Sequence, residues 1–265
     1  MSAFNGLSNA IFDVLMGWSV GFDLVVWPVV MGVAALQIYK YVSNQKALAR
    51  VKSRISMHLL EVRLFSHDIV QVLRSTGAIL VQNTLYLGNH LVPMVVMLVP
   101  MLAVMAQLVA HYAYAPAPPG SVDLLRVELD PEAPRDVSLE LPAGVALDAP
   151  PVRTPDGRVF WRLRAEGEGD HVLRVRVGGD AFEKSWAVGG EPRKIPLKRL
   201  RGLEAVLYPG EAALPAAAPL RSLELGVHPR ALRFLPDGEL GIVLWFLALS
   251  LVAGFALRGL FGVTF

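Results

Sequence analysis

Hydrophobic positions along the chain follow three different patterns, and the first is a continuous apolar run. Three such runs have no charged residue in their interior and no polar face. A helix needs about 20 apolar residues to cross a bilayer. The pattern therefore predicts three transmembrane helices, over residues 22–39, 91–112 and 239–258.

The second pattern, over residues 40–90, places apolar residues every three or four positions on either side of Ser66-His67-Asp68. This spacing is typical of amphipathic helices, and Ser66 or Asp68 can cap the second of them. We predict a helical hairpin with a coiled-coil-like seam. The expected seam positions are Leu48, Val51, Ile55, Leu59 and Val62 in the first helix, and Leu73, Thr76, Leu80, Asn83 and Leu87 in the second.

The third pattern is the strict alternation of a β-sheet. It is found in residues 113–238, which begin with a stiff linker at 113–120. Short strands separated by Gly, Pro and Asp turns predict an all-β sandwich of immunoglobulin-like type. Edge strands are expected at Leu203–Leu207 and Leu220–Val227. The predicted main strands are Val122–Leu129, Val137–Leu141, Val159–Ala165, Val172–Val177 and Phe182–Val188, with Trp161, Leu163, Leu173, Val175, Val177, Phe182 and Trp186 in the core.

The segments at the two ends of the chain, outside these three patterns, are short. Residues 1–21 carry apolar side chains at helical spacing and predict an amphipathic helix that lies at the membrane interface. They lack the basic start and the small-residue cleavage site of a signal peptide. Residues 259–265 are expected to form a cytoplasmic tail.

The distribution of charge predicts how the spans are oriented. Residues 40–90 hold seven basic and two acidic residues, a net charge of +5, whereas residues 1–23 hold two acidic residues and no basic one. Because loops rich in Lys and Arg stay in the cytoplasm, the hairpin should be cytoplasmic and the N-terminus outside. It follows that 113–238 is external and the C-terminus internal. We expect a multi-pass protein of the inner (plasma) membrane.

Composition agrees with a membrane protein and offers little chemistry. Hydrophobic residues make up 54% of the chain, charged residues only 18%, and the mean hydropathy is +0.46. A soluble domain usually carries about 25% charge. The chain has no cysteine, which excludes disulfides and thiolate metal sites. Serine-hydrolase, zinc-protease and phosphate-loop motifs are missing from the sequence. We therefore expect no catalytic residue, no metal and no cofactor.

A polar patch marks the point where the hairpin meets the second span. Asn83, Tyr86 and His90 share one helix face, and Gln107 lies further along the span. Such a face could line a hydrated vestibule and contact a client polypeptide; it could equally be an ordinary wet helix end.

A basic face is expected on the first hairpin helix, made of Lys46, Arg50, Lys52 and Arg54. Juxtamembrane cations are attracted to anionic lipid whatever the function. The same residues would also suit a ribosome, a nascent chain or a soluble partner, and nothing in the chain suggests DNA.

The segment Lys40–Gln107 carries a resemblance to a known group of proteins, through KALARVKSRISMHLLEVRLF, the hairpin turn and LVPMVVMLVPMLAVMAQL. With an external N-terminus and a third span that ends inside, the layout resembles the YidC/Oxa insertase superfamily. That superfamily includes the insertase subunit of the ER membrane complex and archaeal YidC-like proteins. The resemblance is architectural, and it implies a chaperone-like role in the insertion of client membrane proteins.

Two functions remain open at this point. The first is a factor that aids membrane-protein insertion or assembly, in which kinked spans and a polar mouth shelter a client helix. The second is a non-enzymatic structural or scaffolding subunit of a cell-envelope complex, which binds a partner through its external β-domain.

Overall fold

The computed structural model describes residues 10, 12, 14–15, 19–43, 45–134, 136–232 and 235–261, with the backbone alone over 45–48. The chain divides into two compact units. One unit contains Met1–Val26 and Ala103–Leu247, and the other contains Trp27–Leu102 and Ala248–Phe265. The predicted interfacial helix of residues 1–21 falls largely outside the described residues.

Four helices are described: α1 (Val20–Val42), α2 (Gln45–Leu64), α3 (Ile69–Tyr112) and α4 (Glu239–Leu257). Three of them, α1, α3 and α4, are long and apolar enough to cross a membrane. The second hairpin helix and the second predicted span form one continuous helix of 44 residues. Pro93 and Pro100 lie inside it; each removes one backbone donor without ending the helix.

The turn between α2 and α3 has the predicted cap. Asp68 Oδ1 accepts hydrogen bonds from the backbone N–H groups of Val70 (3.0 Å) and Gln71 (3.2 Å). This satisfies two of the donors that the first turn of a helix leaves without partners. Of the two candidate residues, Asp68 is therefore the cap.

The predicted leucine seam is wrong for the second hairpin helix. Leu73, Leu80 and Leu87 are 64–67% exposed, whereas Ser75 is buried. A polar contact holds the two helices together instead, because Glu61 accepts hydrogen bonds from Ser75 Oγ and from the ring of His58, both at 2.9 Å. These bonds, led by that from His58, hold the pKa of Glu61 below its ordinary value. On the first helix Val51 is buried as expected, whereas Leu59, predicted for the same seam, is exposed.

The β-rich region belongs to the other unit and consists of antiparallel sheets. The strands are β1 (Tyr114–Ala115), β2 (Val122–Leu129), β3 (Val137–Glu140), β4 (Val145–Arg153), β5 (Arg158–Ala165), β6 (Gly169–Val177), β7 (Asp180–Val188), β8 (Lys198–Leu200), β9 (Leu220–Leu225) and β10 (His228–Pro229). A five-stranded sheet has the order β4-β5-β2-β9-β8, a three-stranded sheet has the order β3-β6-β7, and β1 pairs with β10.

All five main strands of the sequence analysis are present within a few residues of their expected bounds. Strand β4 was missed because it contains Pro150 and Pro151 and its pairing with β5 shifts register twice, which obscures the alternation. The edge strand expected at Leu203–Leu207 is wrong, since these residues form a 3₁₀ helix. Gly202 precedes it with φ 71° and turns the chain out of the sheet.

One hydrophobic cluster lies beneath the two larger sheets. Every core residue named from the sequence is buried, and Leu163, Leu173 and Val175 are completely so. The cluster joins side chains of the five-stranded sheet to those of the three-stranded sheet. Alternation along β5, β6 and β7 sends every second side chain into this cluster.

Candidate functional site

The polar patch predicted near the hairpin is an aromatic cluster around His90, in the unit made of Trp27–Leu102 and Ala248–Phe265. His90 Nδ1 lies 3.0 Å from the hydroxyl of Tyr39, and the two rings are stacked with centroids 5.8 Å apart. Tyr86 packs edge-on against His90 at a centroid distance of 4.5 Å. Helices α1 and α3 therefore bring Tyr39, Tyr86 and His90 together.

Two buried polar atoms on this face of α3 lack a partner among the described residues. They are Nε2 of His90 and Oε1 of Gln82. Buried polar atoms in proteins are almost always hydrogen-bonded, to protein or to water. Gln82, Tyr86 and His90 follow one another at intervals of four residues, so they share one face of α3. Each of the two atoms needs a water molecule or another polar group to satisfy it.

Asn83 and Gln107 are placed differently from these residues. Asn83 is exposed, and its neighbour Gln82 is the more buried of the two. Gln107 belongs to the other unit, where it is 1% exposed and its carbonyl lies 2.8 Å from His111 Nδ1. The polar face of the cluster is thus formed by Gln82, Tyr86 and His90.

The predicted basic face lies on α2. Arg50, Lys52 and Arg54 are exposed. The side chain of Lys46 lies outside the described residues. Exposed Met57 and Leu60 share the helix with these cations, so α2 offers both charge and apolar surface.

A group of polar contacts that sequence analysis missed joins helix ends to the β-region in the first unit. Buried Asp23, in the first turn of α1, accepts a hydrogen bond from the hydroxyl of Tyr112 at the end of α3. Tyr114 donates to Glu239 at 3.0 Å; burial and this carboxylate raise the pKa of Tyr114. In the sequence, Asp23 is only a negative charge at the external end of the first predicted span. Burial of this carboxylate depends on Tyr112, which is distant in sequence.

A second missed feature is a buried ion pair in the β-region. Lys184 is fully buried, and its Nζ lies 2.6 Å from both Glu211 Oε2 and the carbonyl of Pro196. Burial lowers the pKa of Lys184, and Glu211 opposes that shift in part. The signal in the sequence was its position between Phe182 and Trp186, which alternation assigns to the core.

The described part of the chain contains no group of three His, Asp or Glu residues that could hold a metal ion.

No protein-family model, no curated protein and no solved structure matches this chain.

Proposed function

We propose that the protein is an integral membrane protein with a cytoplasmic hairpin and an external immunoglobulin-like sandwich. Three apolar helices of sufficient length support the spans. The net charge of +5 over residues 40–90 supports a cytoplasmic hairpin. The single core shared by two antiparallel sheets supports the sandwich.

We propose further that it is non-enzymatic and aids the insertion or assembly of other membrane proteins, as its resemblance to YidC/Oxa insertases implies. The observation that carries this proposal is the partnerless Nε2 of His90, buried on the same face of α3 as Oε1 of Gln82. A buried polar atom without a partner costs about 1–3 kcal/mol. A site that keeps two of them gains free energy when a polar group arrives.

The physical role of such a site is to lower the cost of moving a polar group into lipid. A backbone or side-chain polar group that enters hydrocarbon loses its hydrogen bonds to water, at several kcal/mol per group. His90 and Gln82 would replace part of that hydration at the cytoplasmic end of the bundle. Exposed Asn83 would meet the client first.

The test is to replace His90 with leucine in the full-length protein and to measure client insertion in reconstituted vesicles. We expect insertion to fall several-fold, because the change removes the polar Nε2 atom. It also removes the contact of Nδ1 with the Tyr39 hydroxyl, so thermal unfolding in detergent is measured beside insertion. Asn89→Leu is the matched control, since Asn89 Nδ2 already bonds the Leu85 carbonyl at 2.8 Å. Equal insertion by the wild type and His90→Leu would overturn the proposal.

Photo-crosslinkers provide a second, independent test of the same face. Probes at positions 83, 86 and 90 should capture varied client polypeptides, whereas a probe at exposed Val99, inside the second predicted span, should capture mainly lipid. Capture of only one fixed protein at all positions would contradict an insertase role.

A second candidate function, a scaffolding subunit of an envelope complex, is favoured by a different observation. Leu73, Leu80 and Leu87 are exposed on the hairpin, and a row of exposed leucines is typical of a surface that another protein covers. The β-domain would then bind an external partner. Co-purification separates the two candidates: one stoichiometric partner supports the scaffold, and ribosomes or diverse clients support the insertase.

A further inference from the structure

A cleft of about 740 Å³ opens at one end of the β-region. Its walls are the loop after β2, the hairpin that joins β4 to β5, and the start of β9. Ligand pockets in proteins have volumes of roughly 300–1,000 Å³, so the cleft is large enough for a small molecule. Three arginines line it: Arg153, Arg158 and Arg221.

The charged residues that line the cleft balance one another, three arginines against Glu128, Asp130 and Asp156. Two further arginines outside the lining act on these carboxylates: Arg201 donates to Asp130, and Arg126 acts electrostatically on Asp156. Each of these carboxylates is therefore shared by two arginines, which leaves guanidinium charge for an anionic ligand.

The carboxylates leave arginine donors unused. Asp130 accepts from Arg201 at 2.6 and 3.0 Å and from Arg221 Nε at 2.7 Å; these bonds hold the pKa of Asp130 below its ordinary value. Among the described residues, the buried Nε atom of Arg158, which lines the cleft, has no hydrogen-bond partner. The same holds for Nε of Arg126, which lies outside the lining. A buried guanidinium nitrogen without an acceptor needs water or a ligand to satisfy it.

The arginine side chains are also held in position. Arg153 Nη2 donates to the carbonyl of Val137 at 2.9 Å, and Arg158 Nη1 lies 3.1 Å from Asp156. Guanidinium groups that are fixed in this way bind carboxylate or phosphate through paired hydrogen bonds with little loss of side-chain entropy.

We infer that the cleft between the loop after β2, the β4–β5 hairpin and β9 binds a soluble ligand that carries carboxylate or phosphate groups. The cleft lies at the far end of β2 from the linker to α3, roughly 23 Å away at about 3.3 Å per residue. Strand β9 leads from the cleft back toward β10 and α4. A ligand therefore reaches it from solution. This inference goes beyond the proposed function and does not depend on it.

The test is calorimetric titration of the full-length protein, in non-ionic detergent, with citrate and with tripolyphosphate as probes. The cleft variant Arg153→Gln/Arg221→Gln should bind at least about tenfold more weakly, because it loses charge-assisted hydrogen bonds. The control variant Arg174→Gln/Arg176→Gln removes the same charge from the other sheet, where these arginines pair with Glu183 and Glu140. Its affinity should be unchanged.

A gain-of-affinity variant protects the test against loss of folding. Glu128 lines the cleft, and Glu128→Gln removes an opposing charge with little change of shape; binding should tighten by about threefold. Comparing the affinities for citrate and tripolyphosphate shows whether the cleft prefers carboxylate or phosphate groups. Absence of wild-type binding at millimolar probe, equal weakening by the cleft and control variants, or no tightening by Glu128→Gln would overturn the inference.

Discussion

Lys184 is a charged residue at a core position of β7, between the buried rings of Phe182 and Trp186. Glu211 makes this possible: one carboxylate oxygen accepts from Lys184 Nζ, and the other accepts from the backbone N–H of Ser185 at 2.7 Å. The loop that contains Glu211 is thereby attached to β7. At position 184, an ion pair with Glu211 therefore replaces the apolar contact that a core residue would make.

Removing the lysine alone should be costly. Lys184→Met leaves Glu211 largely buried without its counter-charge, and we expect the free energy of unfolding to fall by about 3–5 kcal/mol. The double variant Lys184→Met/Glu211→Gln should be more stable than that single variant, because the amide still accepts from Ser185 without carrying a charge. Guanidinium unfolding, followed by near-UV circular dichroism of the buried tryptophans, measures both. Equal stability of the single and double variants would show that the pair is not coupled.

The burial and the partners of individual residues were the hardest features to predict from sequence. In the sequence, Asp23 and Lys184 look like ordinary charged residues. In the structure each is buried against a partner that is distant in sequence, Tyr112 for Asp23 and Glu211 for Lys184. The face that includes His90 was predictable, because helical spacing depends only on residues close in sequence. The exposure of Asn83 beside it was not, since it depends on where α1 packs.

At the scale of elements, helices α1 and α4 cross closely at Gly32. A methyl group added there would press into the carbonyl oxygen of Ser250 and lie 3.1 Å from the Cβ atom of Ala253. Small residues allow backbones to approach in this way, and helix association within membranes depends on such packing. The crossing therefore requires glycine at position 32.

Gly32→Ala should destabilise the helical unit by about 1–3 kcal/mol, the usual range for overpacking. Gly21→Ala in the same helix is the matched control, because nothing lies within 4 Å of the added methyl group. The control should be neutral or slightly stabilising, since alanine favours helix more than glycine by about 1 kcal/mol. Thermal unfolding of both variants in detergent measures the difference. Similar midpoints for the two variants would contradict the close crossing.

At the scale of the whole molecule, the proposed topology assigns the hairpin and the β-region to opposite sides of the membrane. Exposed positions exist on both, at Arg50 and Asp156, and the chain has no cysteine to interfere with labelling. In intact spheroplasts, an impermeant maleimide should label Asp156→Cys and leave Arg50→Cys unlabelled until the cells are opened. Labelling of Arg50→Cys alone would reverse the orientation.

Periodicity was enough to identify the four helices and most strands, because the period of apolar residues reflects the local backbone geometry of each element. It also defined the sheet core, since alternation decides which side chains share a face. Periodicity could not predict how the elements pack against one another. The burial of Ser75 in place of the expected leucines, the irregular pairing of β4 with β5 and the meeting of arginines from β4, β5 and β9 all depend on contacts between elements. Those contacts arise only when the chain has folded, and the ones among β4, β5 and β9 create the arginine cleft.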